Sequence, residues 1–233
     1  MSGNVAGWLL LHGTPLTPAV WDEVRPRLEA SGPVFIPDVT PEPGETQQVL
    51  ARRILAELPV SAEGLNVVGH SFGGQVALEV ALLAPDLVES LTVLCSRDTP
   101  YPPFAATATA LRNGGPVDLD AAMQRWFRPD ELASGGSLVA YARGCLEDAD
   151  RGAWATALED ISVYDRGDAV SGIRARTTLI SAEDDPVSTP AVMDELAQRI
   201  PSARIETIEG ARHMSPFMDV GSLATRLKSA AGW

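Results

Sequence analysis

Short, nearly continuous runs of apolar residues alternate along this chain with longer segments in which apolar residues recur at helical spacing. The short runs predict buried β-strands, and the longer segments predict amphipathic α-helices. Strands are predicted at 5–11, 34–36, 65–68, 91–95, 177–181 and 204–208. Helices are predicted at 20–30, 46–58, 72–83, 190–199 and 220–230. This alternation is typical of an α/β fold with a mostly parallel sheet that helices cover on both faces.

The alternation stops between residues 97 and 168. Proline and glycine interrupt this stretch at Pro100, Pro102, Pro103 and the glycine pairs 114–115 and 135–136. Helical patterns lie between the breaks, at 119–127, 137–147 and 152–161. The sequence therefore predicts a helical cap at 97–168, inserted over the C-terminal edge of a sheet formed by 1–96 and 169–233.

Residues 69–73 read Gly-His-Ser-Phe-Gly and fit the pattern G-x-S-x-G. An apolar run precedes them and a helical pattern follows, which is the context of a sharp strand-to-helix turn that exposes a serine hydroxyl. Strain at such a turn is typical of a functional position. The context favours Ser71 as a nucleophile over the alternative, an ordinary glycine-rich turn.

A serine hydroxyl needs a base to remove its proton. The chain has three histidines, His12, His70 and His213. His70 adjoins Ser71, where its side chain is expected to point away from the nucleophile. His213 follows the last predicted strand, so its loop lies at the same end of the sheet as Ser71. His213 is the predicted base, and a structural loop histidine is the alternative.

A third group must orient the histidine, and three aspartates are candidates. Asp184 and Asp185 follow the strand at 177–181, and they place an acid between Ser71 and His213 in chain order. Asp185, which precedes a proline, is favoured over Asp184. Asp98, just after the strand at 91–95, is the third choice. At least one of the paired acids is expected to be merely a solvated turn residue.

The oxyanion of an acyl-transfer reaction needs two preorganised N–H donors. Phe72, which follows the nucleophile, and Thr14, in the loop after the first strand, are predicted to supply them, unless that loop is a simple turn. Aromatic residues of the cap are candidates for a substrate pocket, although ordinary packing in the cap is the favoured explanation for any single one. These residues are Trp126, Phe127, Phe104 and Tyr101.

The 233 residues carry a formal net charge of −13, which argues against binding to nucleic acid or to anionic membranes. The charge also disfavours polyanionic substrates unless arginines line the pocket. The two cysteines, Cys95 and Cys145, match no metal or redox spacing, and no cofactor is implied. The absence of a leader-like segment or a membrane-length apolar run predicts a cytoplasmic protein.

Taken together, several motifs resemble the α/β-hydrolase superfamily. They are Leu-His-Gly at 11–13, Trp21, the glycine-rich turn at 69–74, residues 182–186 and residues 210–213. The resemblance implies a serine hydrolase that cleaves a small carboxylic ester or lactone through an acyl-enzyme, and it supports Asp185 as the acid. Family members usually carry a β-hairpin before the first motif. Its absence implies about six strands and an exposed sheet edge on which a homodimer could form.

Two branches of the superfamily look similar. The cap segment 120–127 resembles 3-oxoadipate enol-lactonases, whereas the early first strand and His213-Met214 resemble plant methylesterases and hydroxynitrile lyases. The lyases use a pocket lysine, but Lys228 lies in the predicted last helix. The same catalytic groups would also suit a C–C bond hydrolase or a cofactor-free perhydrolase. A binding protein on a hydrolase fold that has lost its activity is the alternative outside enzymes.

Overall fold

The computed structural model describes residues 6–59, 64–201 and 203–232. These residues form one parallel sheet of six strands in the order β2-β1-β3-β4-β5-β6. The α/β fold and the number of strands predicted from the sequence are confirmed. The strands are β1 (Gly7–Leu11), β2 (Val34–Phe35), β3 (Leu65–His70), β4 (Val88–Leu94), β5 (Arg176–Ala182) and β6 (Arg204–Ile208).

Helices flank the sheet in two groups. The first group contains α2 (Gln47–Glu57), α3 (Phe72–Leu83) and α9 (Pro190–Arg199), and α3 packs against α2, β3 and β4. The second contains α1 (Arg25–Glu29) and α10 (Val220–Ala231), which contact each other. The central strands β1 and β3 are buried throughout, which explains why their sequences are apolar without alternation.

Five α-helices lie between β4 and β5 in the described chain, and we refer to them as the inserted helices. They are α4 (Phe104–Arg112), α5 (Leu119–Trp126), α6 (Pro129–Ser134), α7 (Ser137–Glu147) and α8 (Arg151–Val163). The sequence predicted α5, α7 and α8 but neither α4 nor α6. That these helices form a unit separate from the sheet stays a prediction.

Two boundaries differ from the prediction for physical reasons. The helix predicted at 20–30 is split into a 3₁₀ turn, Pro18–Trp21, and the short α1. Pro26 has no N–H and cannot lie inside a longer helix, so α1 begins just before it. The strand predicted at 91–95 is β4, which begins at Val88 and ends before Cys95, where a positive φ of 47° turns the chain. Val5, the first residue of the strand predicted at 5–11, lies outside the described residues.

None of the helices in the described ranges combines the length and the apolar character that crossing a membrane requires.

Candidate active site

Ser71 lies on a sharp turn between β3 and α3. Its backbone has φ 55° and ψ −121°, a conformation that residues with a side chain rarely adopt. The turn is tight enough that a Cβ on Gly69 would come within 2.2 Å of the Gly73 carbonyl oxygen. A Cβ on Gly73 would come within 2.4 Å of the His12 carbonyl oxygen. The two glycines of the motif are therefore required by close backbone approach, as expected for a turn that presents a serine.

His213 and Asp185 form a buried pair at the same end of the sheet. Asp185 follows β5, and His213 follows β6, in adjacent parallel strands. His213 Nδ1 lies 2.6 Å from Asp185 Oδ2. Because a carboxylate only accepts hydrogen bonds, Nδ1 carries a proton, and Nε2 is the nitrogen that can accept one.

Two backbone N–H groups fix the other oxygen of Asp185. Oδ1 accepts hydrogen bonds from Val187 N at 2.9 Å and from Ser188 N at 3.1 Å. Burial alone would raise the pKa of Asp185, but the nearby His213 and these hydrogen bonds outweigh it, so the pKa lies below its ordinary value. Asp185 is therefore a carboxylate at neutral pH, as the orienting group of such a pair must be.

Ser71, His213 and Thr14 line one narrow cavity with a volume of about 50 Å³. Within the described residues, no hydrogen bond joins Ser71 to the His213 ring. Catalytic hydrogen bonds are often long before substrate binds, so the shared cavity is the more informative relationship.

The two expected oxyanion donors are available. Phe72 is the first residue of α3, and the N–H groups of a first helical turn have no partner within their own helix. Neither Phe72 N nor Thr14 N donates a hydrogen bond to any residue that the structure describes. The loop of Thr14 is held by His12, whose Nδ1 lies 2.9 Å from the Gly13 carbonyl oxygen. His12 Nε2 accepts a hydrogen bond from Val39 N at 3.0 Å.

The two other candidate acids lie elsewhere. Asp98 is fully buried and forms an ion pair with Arg199, with a distance of 2.6 Å from Asp98 Oδ1 to Arg199 Nη2. Asp184 is exposed. The structure therefore brings Asp185, and neither Asp184 nor Asp98, into hydrogen-bond contact with His213.

Two of the four predicted substrate-pocket aromatics reach the cavity. Trp126 and Phe104 line it, whereas Phe127 and Tyr101 are not among its lining residues. Phe127 is fully buried, because the chain becomes extended after Trp126 and turns the next side chain into the interior. Tyr101 packs edge-on against Phe104, with ring centroids 4.8 Å apart, and so contacts a residue of the cavity wall without lining the cavity.

Sequence reasoning missed several residues of the cavity. Helix α8 contributes Trp154, Leu158 and Ile161, and α5 contributes Arg125. The spacing of the α8 residues places them on one helix face. That spacing was visible in the sequence, but it does not distinguish a face that lines a cavity from one that packs in the core.

Cys95, Asp185 and His213 are the one group in the described chain with metal-ligand spacing, because each offers an atom within 4.8 Å of the others. A metal would need a thiolate and would displace the proton that His213 shares with Asp185. Burial, reinforced by the charge of Asp185, holds the pKa of the Cys95 thiol well above its usual range. The arrangement therefore favours the histidine–aspartate pair over a metal site.

Comparison with known proteins places this geometry in a family. Residues 8–224 match the model of the alpha/beta hydrolase family. A pimeloyl-[acyl-carrier protein] methyl ester esterase from Aromatoleum aromaticum is 28% identical over 232 aligned positions, which cover 90% of this chain and 91% of the relative.

Solved structures agree at the level of fold. An enol-lactonase from Burkholderia xenovorans LB400 has a TM-score of 0.91 at 22% identity, with 99% of this chain and 93% of the other covered. A thermophilic esterase from Thermogutta terrifontis has a TM-score of 0.82 at 21% identity, with coverages of 97% and 89%. Since the family model spans nearly the whole sheet and the inserted helices, the chain belongs to the alpha/beta hydrolase family.

Proposed function

We propose that this protein is a serine hydrolase that cleaves a small carboxylic ester or lactone. The proposal is carried by one observation: the strained Ser71 and a buried histidine–aspartate pair line the same cavity. Each of the three residues follows a different strand, β3, β5 or β6, so their convergence is a property of the fold. Perturbed, preorganised groups of this kind in a cleft are typical of a catalytic site.

The proposed reaction begins when Ser71 Oγ attacks the substrate carbonyl carbon and passes its proton to His213 Nε2. Asp185 holds the protonated ring through Nδ1–H and stabilises its charge. The N–H groups of Phe72 and Thr14 stabilise the oxyanion. His213 then gives the proton to the leaving alcohol, and an acyl-enzyme forms on Ser71.

In the second half of the reaction, water replaces the alcohol. His213 removes a proton from the water, which attacks the acyl-enzyme, and the carboxylic acid leaves as Ser71 regains its proton. In a lactone the alcohol and acid belong to one molecule, so ring opening and acyl transfer are the same step. The cavity is narrow and has Trp126 and Phe104 in its wall, which favours a substrate with a small acyl group.

The names of the relatives support an ester or lactone as substrate. The Aromatoleum aromaticum relative is named a methyl ester esterase, and the Burkholderia xenovorans structure is an enol-lactonase. Both names describe cleavage of the bond between an acyl carbon and an oxygen. That bond is the one the proposed mechanism breaks.

The test compares the wild type with Ser71→Ala on p-nitrophenyl acetate, p-nitrophenyl butyrate and a panel of small lactones. We expect turnover by the wild type that falls by at least about a thousand-fold in Ser71→Ala. A fluorophosphonate should add its phosphonyl group to Ser71 in the wild type alone, as peptide mass spectrometry would show.

Each alternative predicts a different pattern. A binding protein on a hydrolase fold would show neither turnover nor a fluorophosphonate adduct. A C–C hydrolase or perhydrolase would form the adduct but turn over esters and lactones poorly. Circular dichroism of Ser71→Ala is the control for folding, because an alanine at this strained position could alter the turn.

A further inference from the structure

Arg125 stands out among the arginines of the described chain. Apart from Arg27, Arg52 and Arg125, every arginine forms an ion pair or a side-chain hydrogen bond with a described residue. Arg27 and Arg52 are exposed, where water solvates their charge. Arg125 is half-buried and lines the cavity of Ser71.

Helix α5 directs Arg125 into the cavity. Ala122, Arg125 and Trp126 all line it, and their spacing of three and four residues places them on one helix face. Val117, just before the helix, continues the same wall. Arg125 is therefore a cationic group set among apolar neighbours.

The other charges in the cavity do not neutralise Arg125. Asp185 is the only carboxylate among the lining residues, and it is already bonded to His213 and to two backbone N–H groups. A partly desolvated cation without a counter-ion is unfavourable, so an anionic ligand would gain more here than at an exposed arginine. The charge of Arg125, which has no ion-pair partner among the described residues, contrasts with the strong negative charge of the whole chain, −13.

We propose that Arg125 binds a carboxylate of the substrate, so that the preferred ester or lactone carries a free carboxylate in addition to the bond that is cleaved. This inference rests on the proposed function. A carboxylate fits better than a phosphate, because Arg125 is the only arginine or lysine lining the described cavity and a dianion would need more than one cation. Arg125 binds and positions the substrate; it takes no part in the proton transfers.

Matched esters test the proposal. Mono-p-nitrophenyl succinate, glutarate and adipate each carry a free carboxylate at a different distance from the scissile bond. Their methyl esters have nearly the same shape without the charge. We expect the wild type to favour one of the acids over its methyl ester by about ten-fold or more in kcat/KM.

The variants are Arg125→Gln, Arg125→Lys and Arg52→Gln. Arg125→Gln should lose about ten- to a hundred-fold in kcat/KM on the preferred acid, mainly through KM, and should lose much less on its methyl ester. Arg125→Lys keeps the charge without the planar guanidinium and should fall between. Arg52→Gln changes the net charge equally at an exposed position and should match the wild type on both esters.

A binding measurement separates failure of this inference from failure of the proposed function. Calorimetry of Ser71→Ala with monomethyl glutarate and dimethyl glutarate reports recognition without turnover. Tighter binding of the monoacid, abolished by adding Arg125→Gln, supports the inference even if no ester is hydrolysed. The inference is overturned if the two ligands bind equally, or if Arg125→Gln weakens acid and methyl ester to the same extent. Loss of all turnover and of the fluorophosphonate adduct in the wild type would overturn the proposed function alone.

Discussion

His70 Nε2 donates a hydrogen bond to the backbone carbonyl oxygen of His213 across 3.2 Å, and the two rings lie 4.7 Å apart. The residue beside the proposed nucleophile thus holds the loop of the proposed base. Burial, together with the nearby His213, keeps the pKa of His70 well below its usual range, so its ring stays neutral. A neutral ring at this place positions His213 without adding a competing charge.

Removing this hydrogen bond should slow the reaction. His70→Ala leaves the His213 carbonyl without its buried donor and opens space beside the imidazole, so we expect kcat to fall by about ten- to a hundred-fold. His70→Gln keeps an N–H donor and should recover part of the loss. Steady-state kinetics on the best ester measures both variants. Equal kcat values for wild type and His70→Ala would contradict the positioning role.

Replacing Asp185 and Asp184 in turn should show which of the two neighbouring aspartates orients His213. Asp185→Asn leaves no carboxylate to stabilise the protonated His213, and we expect kcat to fall on the order of 10³- to 10⁴-fold. Asp184→Asn alters an exposed neighbour and should stay within about two-fold of the wild type. The measurement is ester hydrolysis at neutral pH, with circular dichroism to confirm folding. A larger loss in Asp184→Asn than in Asp185→Asn would show that the acid is misassigned.

The Asp98–Arg199 pair should matter for stability. Asp98 is fully buried and Arg199 has a side chain 28% exposed, so Arg199→Ala strands a charge in the interior. We expect the free energy of unfolding to drop by about 3 kcal/mol. The control is Arg174→Ala, which breaks a pair whose side chains are 63% and 92% exposed and should cost at most about 1 kcal/mol. Urea titrations of the two variants give the comparison, and equal losses would refute the distinction.

Asp160 should make stability depend on pH. Burial, with a contribution from the charge of Glu159, raises its pKa from 3.8 to about 6, and its Oδ2 has no hydrogen-bond partner among the described residues. Because the folded state holds this proton more tightly than the unfolded chain, the contribution to stability is complete below pH 4 and is lost as the pH rises through 6. Asp160→Asn should therefore raise Tm relative to the wild type at about pH 7.5, and the gain should shrink at about pH 4.5.

Thermal melts at the two pH values test this prediction. Asp165→Asn, at an exposed position just after the end of α8, is the control and should show no such difference. A change in Tm of the same size and sign at both pH values for Asp160→Asn would contradict the proposed effect of ionisation.

The sequence predicted the sheet well because its signals are local. The apolar run before Ser71 and the glycines around it are consecutive in the chain, and the close approaches at Gly69 and Gly73 explain why the motif has that composition. Asp185 and His213 could be proposed from the sequence for a related reason. Parallel strands place the loops that follow them at one edge of the sheet.

The cavity wall was less predictable because it depends on how helices pack. Trp126 and Phe127 are adjacent and equally aromatic, yet one lines the cavity and the other lies in the core. The cap segment that contains Arg125 carried a family resemblance, but the sequence did not mark Arg125 as a binding residue, because that role depends on its lack of a partner among the described residues. Helix α6, whose six residues begin with a proline and are followed by a glycine, is too short to show a period.

The position of β6 has a consequence for how the protein responds to heat. Strand β6 is at the edge of the sheet and only partly buried, whereas β3 is central and buried throughout. Edge elements open locally at lower free-energy cost than central ones. We therefore expect warming to open β6, and with it the loop that carries His213, before the central strand that leads to Ser71. If His213 is the base, as proposed, the hydrolysis should then stop, and recover on cooling, at temperatures where the central strands are still folded.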